Sequence, residues 1–216
     1  MRHDIRFRKA DRSQAFTLEG LIGTIVILTA VLFALQSVVI TPTTGGSVNP
    51  ERRAQLQSES DDILTVVAHN DSHNVSDLSE FVRYWDPDAR TFEGGVNQRV
   101  GYGTKTPPRN FGRLLNQTFT VRDRTYNIDV RYRVPGQANE TKRVPMVYRG
   151  QPSDDAVTST YIVTLYDNQT LTSPSEGNVE LWQYGTTQTS QQGYYPIPNA
   201  IDGPVYNVVE VRLTVW

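Results

Sequence analysis

Residues 21–40 (LIGTIVILTAVLFALQSVVI) contain no charged side chain, and their only polar side chains are Thr24, Thr29, Gln36 and Ser37. Twenty residues in a helix span about 30 Å, the thickness of a bilayer's hydrocarbon core. A buried helix of that length in a water-soluble domain normally keeps a polar face, and this run has none. The run therefore predicts a single N-terminal transmembrane helix, taken over residues 16–40. It exceeds the apolar region of about 7–15 residues that a cleaved secretory signal carries, and no small-x-small site closes it.

Charge gives this expected span an orientation. Arg2, Arg6, Arg8, Lys9 and Arg12 precede it against Asp4 and Asp11, while residues 41–49 carry no charge. Cationic flanks stay inside. The expectation is a single-pass protein of the cell membrane with a cytoplasmic N-terminus, an extracellular C-terminal domain and membrane lipid as a partner. From Thr41 onward, 16 Lys and Arg stand against 20 Asp and Glu, a net of −4. That balance argues against a nucleic-acid-binding face. There is no cysteine, so a folded domain here rests on core packing without disulfides.

The chain divides into a basic leader (1–15), the apolar helix (16–40), a linker (41–48) rich in Thr, Gly and Pro, and a domain (49–216). Asn49-Pro50-Glu51 reads as a helix start, with a cap, a proline in the first turn and an acid near the positive end. Leu56, Ile63, Leu64 and Val67 follow at helical spacing. Residues 76–85 predict a second short helix with Leu78, Phe81, Val82 and Trp85 on its packing side, and 110–116 a further turn or two. Residues 86–110 read as loop.

The second half alternates with period two, as a half-buried strand does. Tyr126, Ile128, Val130 and Tyr132 interleave with Asn127, Asp129, Arg131 and Arg133. Residues 157–165 and 205–215 alternate in the same way, and 142–148 and 178–183 are weaker strands. Phe119 and Val121 are expected to pair with the first strand across a turn at 122–124. The uninterrupted run at 205–215 predicts an inner strand. Helices followed by an antiparallel sheet give an α+β fold class.

Around the apolar run, Ala15-Phe16-Thr17-Leu18-Glu19-Gly20-Leu21-Ile22 resembles the processing motif of type IV prepilins. There a basic leader ends at a glycine, and the peptidase cuts before the Phe. Here Ala15 stands in the glycine's place, and Glu19 is the fourth residue after the implied cut where the pilin pattern has its acid fifth. Leu32-Phe33-Ala34-Leu35-Gln36, Val147-Tyr148-Arg149-Gly150, Thr164-Leu165-Tyr166-Asp167-Asn168-Gln169-Thr170 and Gly203-Pro204-Val205-Tyr206-Asn207-Val208-Val209-Glu210-Val211-Arg212 extend the likeness over most of the chain. It resembles an uncharacterised haloarchaeal family of type IV pilin-like (pseudopilin-like) membrane proteins.

The resemblance implies processing between Ala15 and Phe16. It also implies assembly through Glu19, Gly20 and Gly23 with other pilin-like subunits, and a prepilin peptidase and an assembly platform as further partners. In pilins the acid meets the new N-terminal amine of a neighbour; a simpler reading of Glu19 is a cap on the positive end of its own helix. Ala30 and Ala34 add a small-xxx-small pair.

Chemistry is sparse. His69 and His73 are four apart, but Asn70-Asp71-Ser72 between them predicts a helix end and no third ligand is marked, so no metal site is expected. Asp154-Asp155 and Asp86-x-Asp88 match no full calcium loop. Gly101-x-Gly103 lacks the rest of a phosphate-binding pattern, and no Gly-x-Ser-x-Gly elbow occurs. No catalytic residues, no cofactor and no enzymatic activity are expected. Tyr194, Tyr195 and Trp216 read as sheet packing rather than a ligand face.

Asn70, Asn74, Asn116, Asn139 and Asn168 each open an Asn-x-Ser/Thr sequon and are candidate glycosylation sites, with Asn139 and Asn168 placed in turns between strands. The leading expectation is a minor pilin or pseudopilin of a type IV pilus-like or secretion filament at the cell surface. The alternative is a monomeric, membrane-anchored extracellular ligand-binding module, which the break at residues 42–46 favours.

Overall fold

The computed structural model describes residues 5–36, 50–69, 76–174, 178–187 and 193–216. The linker at 41–48, the sequons at Asn70 and Asn74, and His73 lie outside the described residues. Two units are present, Met1–Gly46 and Ser47–Trp216.

The first unit is one helix, α1 (Ile5–Gln36), which runs without a break from the charged leader into the apolar run. The expected boundary between leader and apolar helix is therefore not a structural one. Among the described residues no helix is long and apolar enough to cross a membrane. This corrects the expected transmembrane helix over residues 16–40. It also removes support for a single-pass placement with an inside N-terminus and an outside domain. The physical reason is length. Among the described residues 17, numbers 20–36, are both helical and free of charge, which is about 25 Å against the roughly 30 Å required. Val38, Val39 and Ile40, which complete the run in sequence, lie outside the described residues.

The second unit is α+β with antiparallel sheets. Its first helix, α2 (Pro50–His69), opens on a proline with Glu51 in the first turn, and buries Leu56, Ser60, Ile63, Leu64, Val67 and Ala68 on one face. Helix α3 (Asp77–Val82) is shorter than expected. Trp85 leaves it for a two-residue strand β1 (Trp85–Asp86), paired with β2 (Thr91–Phe92). The Asp86 carboxylate fixes that turn by accepting from the Asp88 and Ala89 amides, each at 2.9 Å.

Helix α4 (Arg109–Thr118) runs into a 3-10 turn, Thr120–Arg122, which ends at Asp123 in the left-handed region (φ 56°). Phe119 and Val121 are thus not a strand. The Phe119 amide continues the helix by donating to the Leu115 carbonyl (2.9 Å), its ring is fully buried, and Val121 is 71% exposed. Residues 181–183 form another 3-10 turn where a weak strand was expected, with a lone bridge between Thr170 and Glu180.

The main sheet holds β3 (Tyr126–Val134), β4 (Gln137–Val147), β5 (Val157–Tyr166) and β6 (Val205–Val215), all antiparallel, in the order β4-β3-β6-β5. The C-terminal strand is an inner one, as its alternation predicts. Tyr126, Ile128 and Val130 from β3 and Val209, Val211, Leu213 and Val215 from β6 are buried under α2, α3 and α4 as one continuous core.

Two asparagines in the sheet are buried despite their polarity. The Asn207 side-chain amide accepts from the Arg133 N–H (3.2 Å) and donates to the Arg133 and Pro198 carbonyls (3.1 and 2.8 Å). Asn127, expected on the wet face, does the same at the other end of β3, accepting from Arg149 N–H and donating to the Gly150 carbonyl, both at 2.8 Å. Each amide stands in for a peptide group where the ladder runs out, so no backbone polar group there is buried unpaired. Gly101 lets another loop approach closely: at φ 59° a Cβ would lie 2.0 Å from the Met146 carbonyl oxygen.

An aromatic layer of Trp85, Phe92, Tyr194, Tyr195 and Tyr206 fills the core beside β1 and β2. Its hydroxyls are satisfied: Tyr195 donates to the Val82 carbonyl (3.1 Å) and Tyr206 to that of Ile197 (2.6 Å). Burial holds the Tyr195, Tyr206 and Tyr126 hydroxyls above the ordinary tyrosine value.

Two outcomes follow for stability. Leu213→Ala, at a fully buried inner-strand position, should cost about 2–5 kcal/mol in chemical denaturation. Ile162→Ala, 65% exposed on β5, should stay within about 0.5 kcal/mol. Equal costs would show that the sheet order is wrong. The tyrosines remain neutral in the folded chain at a pH where unfolded tyrosines ionise. Their contribution is complete below the unfolded value of about 10 and is lost as pH rises through the higher folded values. The denaturation midpoint should therefore fall above about pH 10 together with a rise in tyrosinate absorbance; tyrosinate appearing before any loss of structure would contradict their burial.

Candidate assembly surfaces

Helix α1 presents side chains at residues 18–33, and every one of them is exposed. Its large apolar residues range from Val31 at 49% exposure to Phe33 at 78%. Ile25, Val26, Ile27 and Leu28 are consecutive and all exposed; at about 100° per residue they sweep most of the helix circumference. There is no polar face. The two hydroxyls turn inward onto the helix itself: Thr24 donates to the Gly20 carbonyl (2.8 Å) and Thr29 to that of Ile25 (2.7 Å).

The sequence-predicted assembly residues lie on this helix. A Cβ at Gly20 or Gly23 would meet nothing within 4 Å, so nothing inside the chain requires their smallness. Glu19 is exposed and belongs to no ion pair among the described residues. Since α1 begins at Ile5, Glu19 stands about four turns in, too far from the helix start to cap it in the intact chain. Ala15 and Phe16 fall on helical backbone, and their side chains, like that of Ala34, lie outside the description.

The remaining expected sites are dispersed over the second unit. Asn116 is exposed on α4, and Asn168 is exposed in the turn after β5. Asn139 lies within β4, not in a turn, because the reversal falls earlier, at Pro135-Gly136. His69 places Nδ1 2.9 Å from the Thr65 carbonyl of its own helix. Tyr195 is core, and Tyr194 packs against it with its hydroxyl accepting from Gln98 Nε2 at 2.8 Å.

Two features had no sequence signal. Arg83 is only 5% exposed and has no ion pair among the described residues; NH1 donates to the Thr170 carbonyl at 2.5 Å. Burial lowers its affinity for the proton below the usual guanidinium value. The hydroxyls of Ser76 and Ser79 are buried with no partner among the described residues, and both line a cavity of about 300 Å³ beside β5.

The chain matches DUF7288, a family of unknown function, over residues 12–215, and it belongs to that family. No curated protein and no solved structure matches it. The matched region includes most of α1 together with the whole α+β unit, so both are parts of one family pattern.

Proposed function

We propose that this chain is a pilin-like structural subunit, a minor pilin or pseudopilin of a type IV pilus-like or secretion filament. The observation that carries the reading is the surface of α1. A helix apolar on all sides is stable only when something covers it. Helices of other pilin-like subunits are the cover proposed here. Gly20 and Gly23 support this because they leave room for a close backbone approach that the chain itself does not use. Glu19, beside them and in no ion pair among the described residues, supplies one charge to be matched by a neighbour's cation, and the new amine of a chain cut before Phe16 is the match the prepilin-like motif suggests. The α+β unit then makes lateral contacts within the filament.

The test uses the full-length chain in its native cells, with a photo-reactive residue in place of Ile27. Cross-links to other pilin-like chains are expected. Gly23→Leu and Glu19→Gln should each remove most of that yield while the level of the protein stays unchanged. Mass spectrometry of the mature N-terminus should find Phe16 first. Wild-type protein that cross-links to no pilin-like chain, or variants that cross-link as wild type does, would overturn assembly through this helix; an intact Met1 would overturn the processing step alone.

A further inference from the structure

The two edges of the main sheet are unlike. Strand β4 carries Glu140, Lys142, Arg143 and Pro145, the residues that blunt an edge against foreign pairing. Its C-terminal end is also covered, since the Tyr102 amide donates to the Met146 carbonyl (2.8 Å) and Tyr148 to that of Val100 (3.0 Å). Strand β5, VTSTYIVTLY, is ten residues long with no charge, no proline and no glycine. Among the described residues it pairs only with β6.

The free side of β5 can be assigned residue by residue. The Thr158 carbonyl accepts from Gln57 Nε2 on α2 (3.2 Å), so it faces away from β6. The Thr158 and Thr214 hydroxyls are 3.2 Å apart across the ladder, as in the closer, non-hydrogen-bonded kind of antiparallel pair. The register runs unshifted as far as Leu165. Backbone groups alternate sides along a strand, so Thr160, Ile162 and Thr164 turn their N–H and C=O groups to the free side. No backbone bond outside the ladder reaches any of the three among the described residues.

This edge borders a groove. A cavity of about 300 Å³ is lined by residues 161–164, Gln169, Ala68, Ser76 and Ser79, and a second of about 510 Å³ lies beside Thr158, Val157 and Gln57. The Ser76 and Ser79 hydroxyls, which line the same cavity, are buried with no hydrogen-bond partner among the described residues, and Ser79 is only 4% exposed. A buried hydroxyl without a partner has given up its hydration for nothing, so a ligand that bonds to it regains that loss.

We propose that β5 is the docking edge for an extended, uncharged peptide segment of another polypeptide, which adds to the sheet as a fifth strand. An extended backbone carries donors and acceptors along both of its sides. One side would pair with Thr160, Ile162 and Thr164, and the other would meet the Ser76 and Ser79 hydroxyls. Among the described residues that line the cavity beside residues 161–164 none is charged, so a charged occupant would lose its hydration without gaining a partner among them. Side chains of the added strand would alternate between the open face, where Ile162 is 65% exposed, and the α2 side, where Tyr161 and Ala68 lie. This site stands apart from α1 and does not depend on the proposed subunit function.

The test is residue-resolved amide exchange on the full chain, with a synthetic ten-residue peptide of alternating threonine and valine, which copies no segment of this chain, as the probe. In the free chain, the Thr160, Ile162 and Thr164 amides should exchange at least about tenfold faster than those of Ser159, Tyr161 and Val163. Adding the peptide should slow those three amides by about tenfold or more. A peptide with proline at alternate positions cannot donate and should leave them fast, and Ile162→Lys, at an exposed position that leaves the core intact, should abolish the effect. Slow exchange of the three amides in the free chain, or equal protection by the proline peptide, would overturn the proposal. So would protection that rises with chain concentration in the absence of peptide, because the occupant would then be a second copy.

Discussion

Strands β3 and β6 are the only strands of the main sheet with a hydrogen-bonded neighbour on both sides, and the α+β unit is organised around that pair. Their period-two alternation delivers Tyr126, Ile128, Val130, Val209, Val211, Leu213 and Val215 to a single face, all of them fully buried. A slip of one residue would turn every one of these outward. The register is therefore set by burial, and the polar clips at Asn127 and Asn207 hold it at the two ends of β3. Because β3 and β6 are about 80 residues apart in sequence, the sheet gains its second inner strand only through a non-local pairing. The helices and edge strands can pack onto a complete core only after that non-local pairing has formed.

The parts of this fold legible in the sequence are those where one physical rule dominates. Residues 126–134, 157–166 and 205–215 alternate because one face is wet, and α2 shows its apolar spacing because a single face is buried. Where two rules compete, reading the sequence fails. Phe119 and Val121 alternate like a strand, yet the Phe119 amide already had a helical acceptor in Leu115, and local hydrogen bonding extended α4 instead. Trp85 fits the spacing of α3, yet the Asp86 turn takes it into β1. Asn127 looks like a solvated residue because its type is polar; only the three-dimensional path of 149–150 shows which groups it satisfies. The edge of β5 is the extreme case, since its sequence differs little from that of an inner strand and its exposure is a property of strand order.

The apolar run of α1 was equally plain in the sequence, but its meaning changes with geometry. A charge-free stretch can be read as a span only if enough of it is helical, and among the described residues the helical, charge-free part is 17 residues long. Ten large apolar side chains on α1, from Leu18 to Phe33, are 49–78% exposed. Covering each would recover about 1 kcal/mol, so the helix as a whole holds on the order of 10 kcal/mol of unrealised burial. That is comparable to the net stability of an entire domain, and it makes an isolated chain with this surface in water a poor resting state.

The two unpartnered surfaces answer to different physics. Burial of α1 is non-directional: any apolar surface of matching shape lowers the free energy, and in the proposed assembly discrimination would come from the small residues Gly20 and Gly23 and from the charge of Glu19. The β5 edge is the reverse. It offers little apolar area beyond Ile162, but its donors and acceptors are fixed in spacing and direction, so it selects for an extended backbone in one register. A shift of one residue along the edge would aim the added strand's donors and acceptors away from Thr160, Ile162 and Thr164. The absence of charge along all ten residues of β5 then acts in two ways. It leaves the edge unblunted, where Lys142 and Arg143 guard β4, and it moves selectivity from electrostatics to hydrogen-bond register. An assembly built on α1 alone would be strong and loosely specified. Adding a strand at β5 would supply the orientation that a helix apolar on every side cannot.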